Sequence, residues 1–256
     1  MNIIQSFNPK ESLKLIEQKD NFYLLKNLYL NNNFPKVLLL SGEHGSGKFT
    51  LINHFMHYYF DKDNYSEKEN IILKKNNFFK QNLSNTFPNI YYLNGSDFKN
   101  IKIEDIRNLK NNLLKTPILQ KKRFIILDNV EIFNLNSLNG LLKLIEEPGE
   151  NNHFILVDNL SKNLLQTIKS RCLEIKIKHN EKSRQKIINF LSENFNQKNI
   201  LDIDLIKTSP GNYIKFNYFF NEKILNLNES FLSNIKLILN LYKKDKNMFY
   251  KSLLIF

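Results

Sequence analysis

Three closely spaced glycines precede a lysine in Ser41-Gly42-Glu43-His44-Gly45-Ser46-Gly47-Lys48-Phe49-Thr50, directly after the apolar run Val37-Leu38-Leu39-Leu40. Glycines at this spacing let a backbone curl so that its N–H groups face phosphate oxygens, and a helix starting behind them adds the positive end of its dipole. Lys48 is placed to reach the outer phosphates of a nucleotide. Gly42, Gly45, Gly47 and Lys48 thus follow the P-loop pattern Gly-x-x-x-x-Gly-Lys-[Ser/Thr]. Three of the seven glycines of the chain fall in this loop, which argues against an ordinary strand-to-helix turn. The pattern then breaks. Phe49 stands where a Mg²⁺ ion needs a hydroxyl, and Thr50 comes one residue late. The spacing predicts a loop that cradles phosphate and holds the metal poorly.

A second constellation lies at Asp128, which closes the apolar run Phe124-Ile125-Ile126-Leu127. A carboxylate there either holds Mg²⁺, as a Walker B residue does, or caps the turn that follows. Hydrolysis needs a further acid beside it to take a proton from the attacking water. The next residue is Asn129, which cannot accept that proton, and Glu131 two positions on is not placed as the base. Cys172, the only cysteine, can form no intrachain disulfide and has no identifiable histidine partner for nucleophilic work. His44 and His153 lack the spacing of metal ligands.

The elements that must position these groups follow from hydrophobic periodicity. Apolar spacing from Glu11 to Tyr29 predicts a helix. The P-loop strand and its helix extend to about Phe60, and a polar loop or loose helix runs to Thr86. Strands are expected at Ile90–Leu93, Arg123–Asp128, His153–Val157 and Leu173–Ile177, with helices at Ile103–Leu114, Ser137–Ile145 and Leu164–Lys169. Glu146-Glu147-Pro148-Gly149 stops the second of these helices. Strands alternating with helices predict a parallel sheet covered on both faces. From Glu181 onward the pattern is helical only, which puts a boundary near residue 178.

The chain of 256 residues is 42% hydrophobic, enough for a sizeable core. No apolar run approaches the ~20 residues of a membrane span, and the N-terminus lacks the regions of a signal peptide. With one cysteine, these features predict a cytoplasmic protein away from membranes. The net charge of +12 permits nucleic-acid contact, but lysine enrichment at solvated positions produces the same count.

Leu38–Thr50, Phe124–Asp128, Asn139-Gly140-Leu141-Leu142-Lys143-Leu144-Ile145-Glu146-Glu147-Pro148 and Thr167-Ile168-Lys169-Ser170-Arg171-Cys172 occur in that order. Together, over about residues 1–215, they resemble the AAA+ clamp-loader family of bacterial DNA polymerase III. The stretch Ile101–Arg107 is similar to the family's segment before Walker B. The resemblance implies an AAA+ P-loop core over 1–178, a small helical lid over 179–215 and a shortened or partial collar over 216–256. It implies that Arg171, in the Ser-Arg-Cys run, reaches ATP bound to a neighbouring subunit. Asn159 sits near one of the family's sensor positions, and Lys215 is the nearest match to the other, a lysine where motor subunits have arginine; both count among the expected nucleotide-binding residues. Motor subunits carry an intact Walker A hydroxyl, an acidic Walker B pair and a four-cysteine zinc module after the P-loop helix. This chain has Phe49, Asn129 and no cysteine between Lys48 and Asp128, so no such zinc site is expected. The implied role is that of a stator, with gamma/tau and delta subunits, the sliding clamp and primed DNA as partners. ATP or ADP would bind weakly, through Gly42, Gly45, Gly47, Lys48, Thr50 and Asp128, with little dependence on metal. An independent P-loop ATPase or nucleotide kinase, a motor-type subunit and a DNA-binding adaptor are the alternatives.

Overall fold

The computed structural model describes residues 7–95, 101–222 and 224–245. Residues 1–6 and the last part of the expected collar, 246–256, lie outside the described residues. The elements from the amino-terminal side are α1 (Lys19–Leu30), β1 (Val37–Ser41), α2 (Lys48–Phe60), the short strands β2 (Tyr65–Ser66) and β3 (Ile71–Ile72), and α3 (Asn77–Leu83). Then come β4 (Ile90–Asn94), α4 (Ile103–Leu113), β5 (Arg123–Asp128), α5 (Leu135–Glu146), β6 (Asn152–Asp158), α6 (Gln166–Lys169) and β7 (Leu173–Lys176). Helices α7 (Glu181–Asn194), α8 (Pro210–Asn221) and α9 (Phe231–Asp245) follow.

Five strands form one parallel sheet in the order β4-β5-β6-β1-β7. Its central strands are buried on both faces, which is why they read as unbroken apolar runs. Alternation still sorts their side chains. Leu38, Leu40, Phe124, Ile126, Ile155 and Val157 join the core under α1, α2 and α3. Val37, Leu39, Ile125, Leu127, Phe154 and Leu156 join the core under α4, α5 and α6. This is the α/β layering expected from the alternating pattern and implied by the AAA+ resemblance. Helix α2 is buried from Leu51 to Tyr58 without a break.

Two segments differ from expectation. The first helix starts at Lys19, not Glu11, because Leu13–Leu15 lies extended against the β2–β3 hairpin: Lys14 bridges Ile71, and Leu15 N–H donates to Asn70 O at 3.0 Å. Glu17 then turns the chain at φ 53°. The stretch 61–86, expected as a loop or loose helix, holds helix α3, capped by the Asn76 side chain on Phe79 N–H, and also that hairpin, which was not expected.

The chain divides into two compact units. The sheet unit comprises Pro9–Glu43 and Lys48–Ile177. The helical unit comprises the described residues from 178 onward, residues 7–8 and the loop tip His44–Gly47. In the helical unit Ile188, Tyr213 and Ile214 form one core, and Phe219, Leu225 and Ile238 another. Buried Arg184 on α7 donates to Thr208 O at 2.7 Å and Ile203 O at 2.9 Å, holding the connection that leads into α8.

Candidate functional site

In the sheet unit, Lys48 opens α2 and is buried. Its Nζ donates to Gly42 O at 2.6 Å and Glu43 O at 2.7 Å. Desolvation lowers its ammonium to about 8, although Asp128, Glu131 and Asp158 pull the other way. Gly45 and Gly47 have φ of 82° and 84°, backbone that glycine adopts at little cost. Lys48 thus closes onto the carbonyls of the residues just after β1, while Gly45 and Gly47 carry left-handed backbone.

Phe49, at the sequence position of the missing hydroxyl, packs against a sheet residue. The Phe49 ring meets Tyr92 of β4 edge-on, with centroids 5.3 Å apart. Lys10 Nζ lies 5.1 Å from the Tyr92 ring and 5.7 Å from the Phe49 ring. Tyr92 O–H donates to Asp128 Oδ2 at 3.2 Å, and Asn129 N–H donates to Oδ1 at 2.9 Å. Both carboxylate oxygens thus accept hydrogen bonds from protein, and burial pushes the Asp128 carboxyl up. Thr50 lies half-buried on α2, one residue beyond Phe49.

Three asparagines form a row across the ends of β4, β5 and β6. Asn129, at φ 54°, donates from Nδ2 to Asn94 Oδ1 at 2.8 Å and accepts at Oδ1 from Asn159 Nδ2 at 2.8 Å. Asn159 is therefore bonded to the very residue that replaces the second acid. Glu131 is buried and accepts from Ser161 Oγ at 2.7 Å, and burial raises its carboxyl. This row can orient but cannot take a proton from water.

In the helical unit the loop tip is bound by its carbonyls. His44 O accepts from Ser209 Oγ and from Asn212 Nδ2 at 2.9 Å, and Gly45 O accepts from Gly211 N–H at 2.9 Å. His179 Nε2 lies 2.9 Å from Ser46 O. A Cβ on Gly45 would come within 2.7 Å of Ser209 Oγ and 2.8 Å of Asn212 N. Lys215 lies further along α8, its ammonium lowered to about 8 by desolvation.

Arg171 belongs to the sheet unit. It follows α6, where its Nη1 donates to Thr167 O at 2.8 Å and its Nη2 meets Glu146 Oε1, at the end of α5, at 2.7 Å. The guanidinium side chain is 39% exposed, so a partner could reach it. Ser170 Oγ donates to Thr167 O at 3.1 Å and helps close the turn. Cys172 packs against the core, and burial pushes its thiol up to about 11, which disfavours the thiolate.

Sequence reasoning gave no site role to Tyr92, Asn94, Glu146, Ser209 or Asn212, although Glu146 stood in a quoted motif. For the asparagine row a signal existed, since three apolar runs end in Leu93-Asn94, Asp128-Asn129 and Asp158-Asn159. In a parallel sheet these ends share one edge. Among the described residues no group of three or more His, Cys, Asp or Glu could hold a metal ion, and no helix is long and apolar enough to cross a membrane.

The family model described as DNA polymerase III, delta subunit, matches residues 17–181. The chain is 37% identical over 90 residues to the DNA polymerase III subunit gamma of Buchnera aphidicola (subsp. Schizaphis graminum), covering 35% of this chain and 24% of that protein. It is 32% identical over 90 residues to the DNA polymerase III subunit delta' of Pseudomonas aeruginosa, covering 35% and 27%. A further match to delta' of the same Buchnera is 26% identical over 152 residues, covering 57% and 43%. The matched segments thus span about a quarter to less than half of these relatives.

Proposed function

Because the chain belongs to the family described as DNA polymerase III, delta subunit, we propose that it is a clamp-loader subunit of the stator type, delta-prime. It supplies Arg171 in trans to ATP on a neighbouring gamma/tau subunit while the complex, with delta, loads the sliding clamp on primed DNA. A guanidinium set near a γ-phosphate neutralises charge that develops as the terminal bond breaks. The carrying observation is what stands where the metal ligands are expected: Phe49 packs against Tyr92, and Tyr92 is bonded to Asp128. Asn129, tied to Asn94 and Asn159, supports the same reading, because it leaves no base beside Asp128.

The retained lysine and glycines favour weak binding of ADP or ATP, nearly independent of Mg²⁺. Lys48 would hold the phosphates and the backbone from Gly42 to Gly47 would surround them. The core, lid and collar remain the proposed division of labour, with the helical part carrying assembly and the cytoplasm as the place of work.

The gamma relatives make a motor-type subunit the second reading. Two measurements separate them. Purified chain with Mg·ATP is assayed for phosphate release, and tagged chain is tested for co-assembly with gamma/tau and delta. The stator reading expects co-assembly without intrinsic turnover. Steady hydrolysis by the chain alone points to a motor, and failure to co-assemble removes the clamp-loader role.

A further inference from the structure

Resting on the reading of Arg171 as the trans-acting group, we propose that Glu146 is a positioning residue for it. The ion pair joins the last residue of α5 to the residue two places after α6, with Nη2 and Oε1 2.7 Å apart. The second anchor is Thr167 O, 2.8 Å from Nη1. Two anchors on two different elements fix both the position and the plane of a guanidinium that would otherwise sample many rotamers. An arginine held in this way loses less side-chain freedom when it meets a phosphate, and a donor set in place beforehand acts more strongly on developing charge.

Glu146 also sits where the backbone alone would not favour a carboxylate. It ends α5, at the negative end of a helix dipole, so the chain gains by placing a cation beside it. Both side chains are solvated, 39% and 47% exposed, which keeps the pair weak. A weak pair can orient the guanidinium without competing successfully against a polyanionic phosphate. Glu146 thus holds Arg171 poised at the surface and yields it when a neighbour presents its nucleotide. Glu147 is also exposed, but no ion pair links it to Arg171.

The test is a reconstituted complex carrying this chain as wild type, Glu146→Ala, Glu146→Asp, Arg171→Ala or Glu146→Ala/Arg171→Ala, each matched for composition and thermal midpoint. Clamp- and DNA-stimulated ATP hydrolysis is the readout, scored as the part of the rate that Arg171→Ala removes. Glu146→Ala should lower that part about three- to tenfold, the scale on which a pre-organised contact acts, with no change in the complex formed. Glu146→Asp should recover part of the loss. The double variant should match Arg171→Ala alone, because a positioning residue has nothing left to position; a separate structural defect would lower the rate further. If Arg171→Ala lowers the rate while Glu146→Ala leaves it unchanged, or if the two losses simply add, Glu146 has no positioning role and the reading of Arg171 stands. If Arg171→Ala changes nothing, that reading fails and this inference falls with it.

Discussion

The ring of Phe49 meets the ring of Tyr92 edge-on, 5.3 Å between centroids, and the Tyr92 hydroxyl donates to Asp128. One aromatic pair therefore occupies the place of a metal-binding hydroxyl and occupies the carboxylate that would share the metal. The isolated chain should hydrolyse Mg·ATP far more slowly than about 1 per second, the low end of ordinary enzyme rates. Phe49→Thr should not raise that rate, because Asn129 still supplies no base. It should lower stability by about 1–2 kcal/mol through the lost ring contact. Phosphate release and thermal melting of both proteins check this; turnover gained by Phe49→Thr would contradict it.

Arg123 should matter for stability alone. Its buried guanidinium donates to Asn112 O at 3.1 Å, Lys115 O at 2.7 Å, Leu113 O and Asn152 Oδ1, closing the carboxyl end of α4. Lysine cannot spread its donors over that arc. Arg123→Lys should cost about 2–3 kcal/mol and Arg123→Ala more, since buried carbonyls lose their partners. Urea unfolding gives the number; a loss under about 0.5 kcal/mol, typical of surface positions, would refute the cap.

Buried His57 gives the stability a pH dependence. Desolvation lowers its imidazolium to about 4 from an ordinary 6.5. Between those values the unfolded chain binds the proton and the folded chain does not, so this group costs stability as pH falls from 6.5 to 4. The full contribution is up to about 3 kcal/mol. His57→Leu should flatten the stability curve in that window while changing it little at pH 7.5. His54, lowered to about 3, titrates in the same direction and remains in the variant. Denaturant midpoints measured every half pH unit test the difference, and parallel curves would show that His57 is not the group.

Gly211→Ala should loosen the start of α8. A Cβ there would lie 2.8 Å from Gly45 O, the acceptor of the Gly211 N–H bond. Faster amide exchange is expected over residues 209–213, with exchange in β5 and β6 unchanged. Equal exchange throughout would mean that the tip does not restrain α8.

The parallel sheet was legible because its strands are short apolar runs separated by helical periods. Their order was not, since nothing local to Val37–Leu40 tells it to lie between β6 and β7. The extended course of Leu13–Leu15 was hidden because its leucines fit a helical period, while its pairing partner, Ile71, lies far along the chain. At the site, Phe49 and Asn129 were legible as departures from a pattern. What fills the gap was not: Tyr92 is one of eleven tyrosines, and only sheet register brings β4 beside Asp128. Glu146 and Arg171 were each visible in a motif. Their pairing depends on how α5 and α6 end, which periodicity does not report.

The measurement that bears most directly on the proposed role replaces Arg171 with Ala in a reconstituted clamp loader. The side chain is 39% exposed and its ion pair with Glu146 is solvated, so folding and assembly should be preserved. Arginine fingers are worth ~10³-fold or more at a single site, but only one of several ATP sites would lose its finger here. Stimulated hydrolysis and clamp loading should therefore fall in part, with the loss confined to the site next to this chain. Unchanged rates in a complex of normal composition would contradict the account and leave this chain a structural partner.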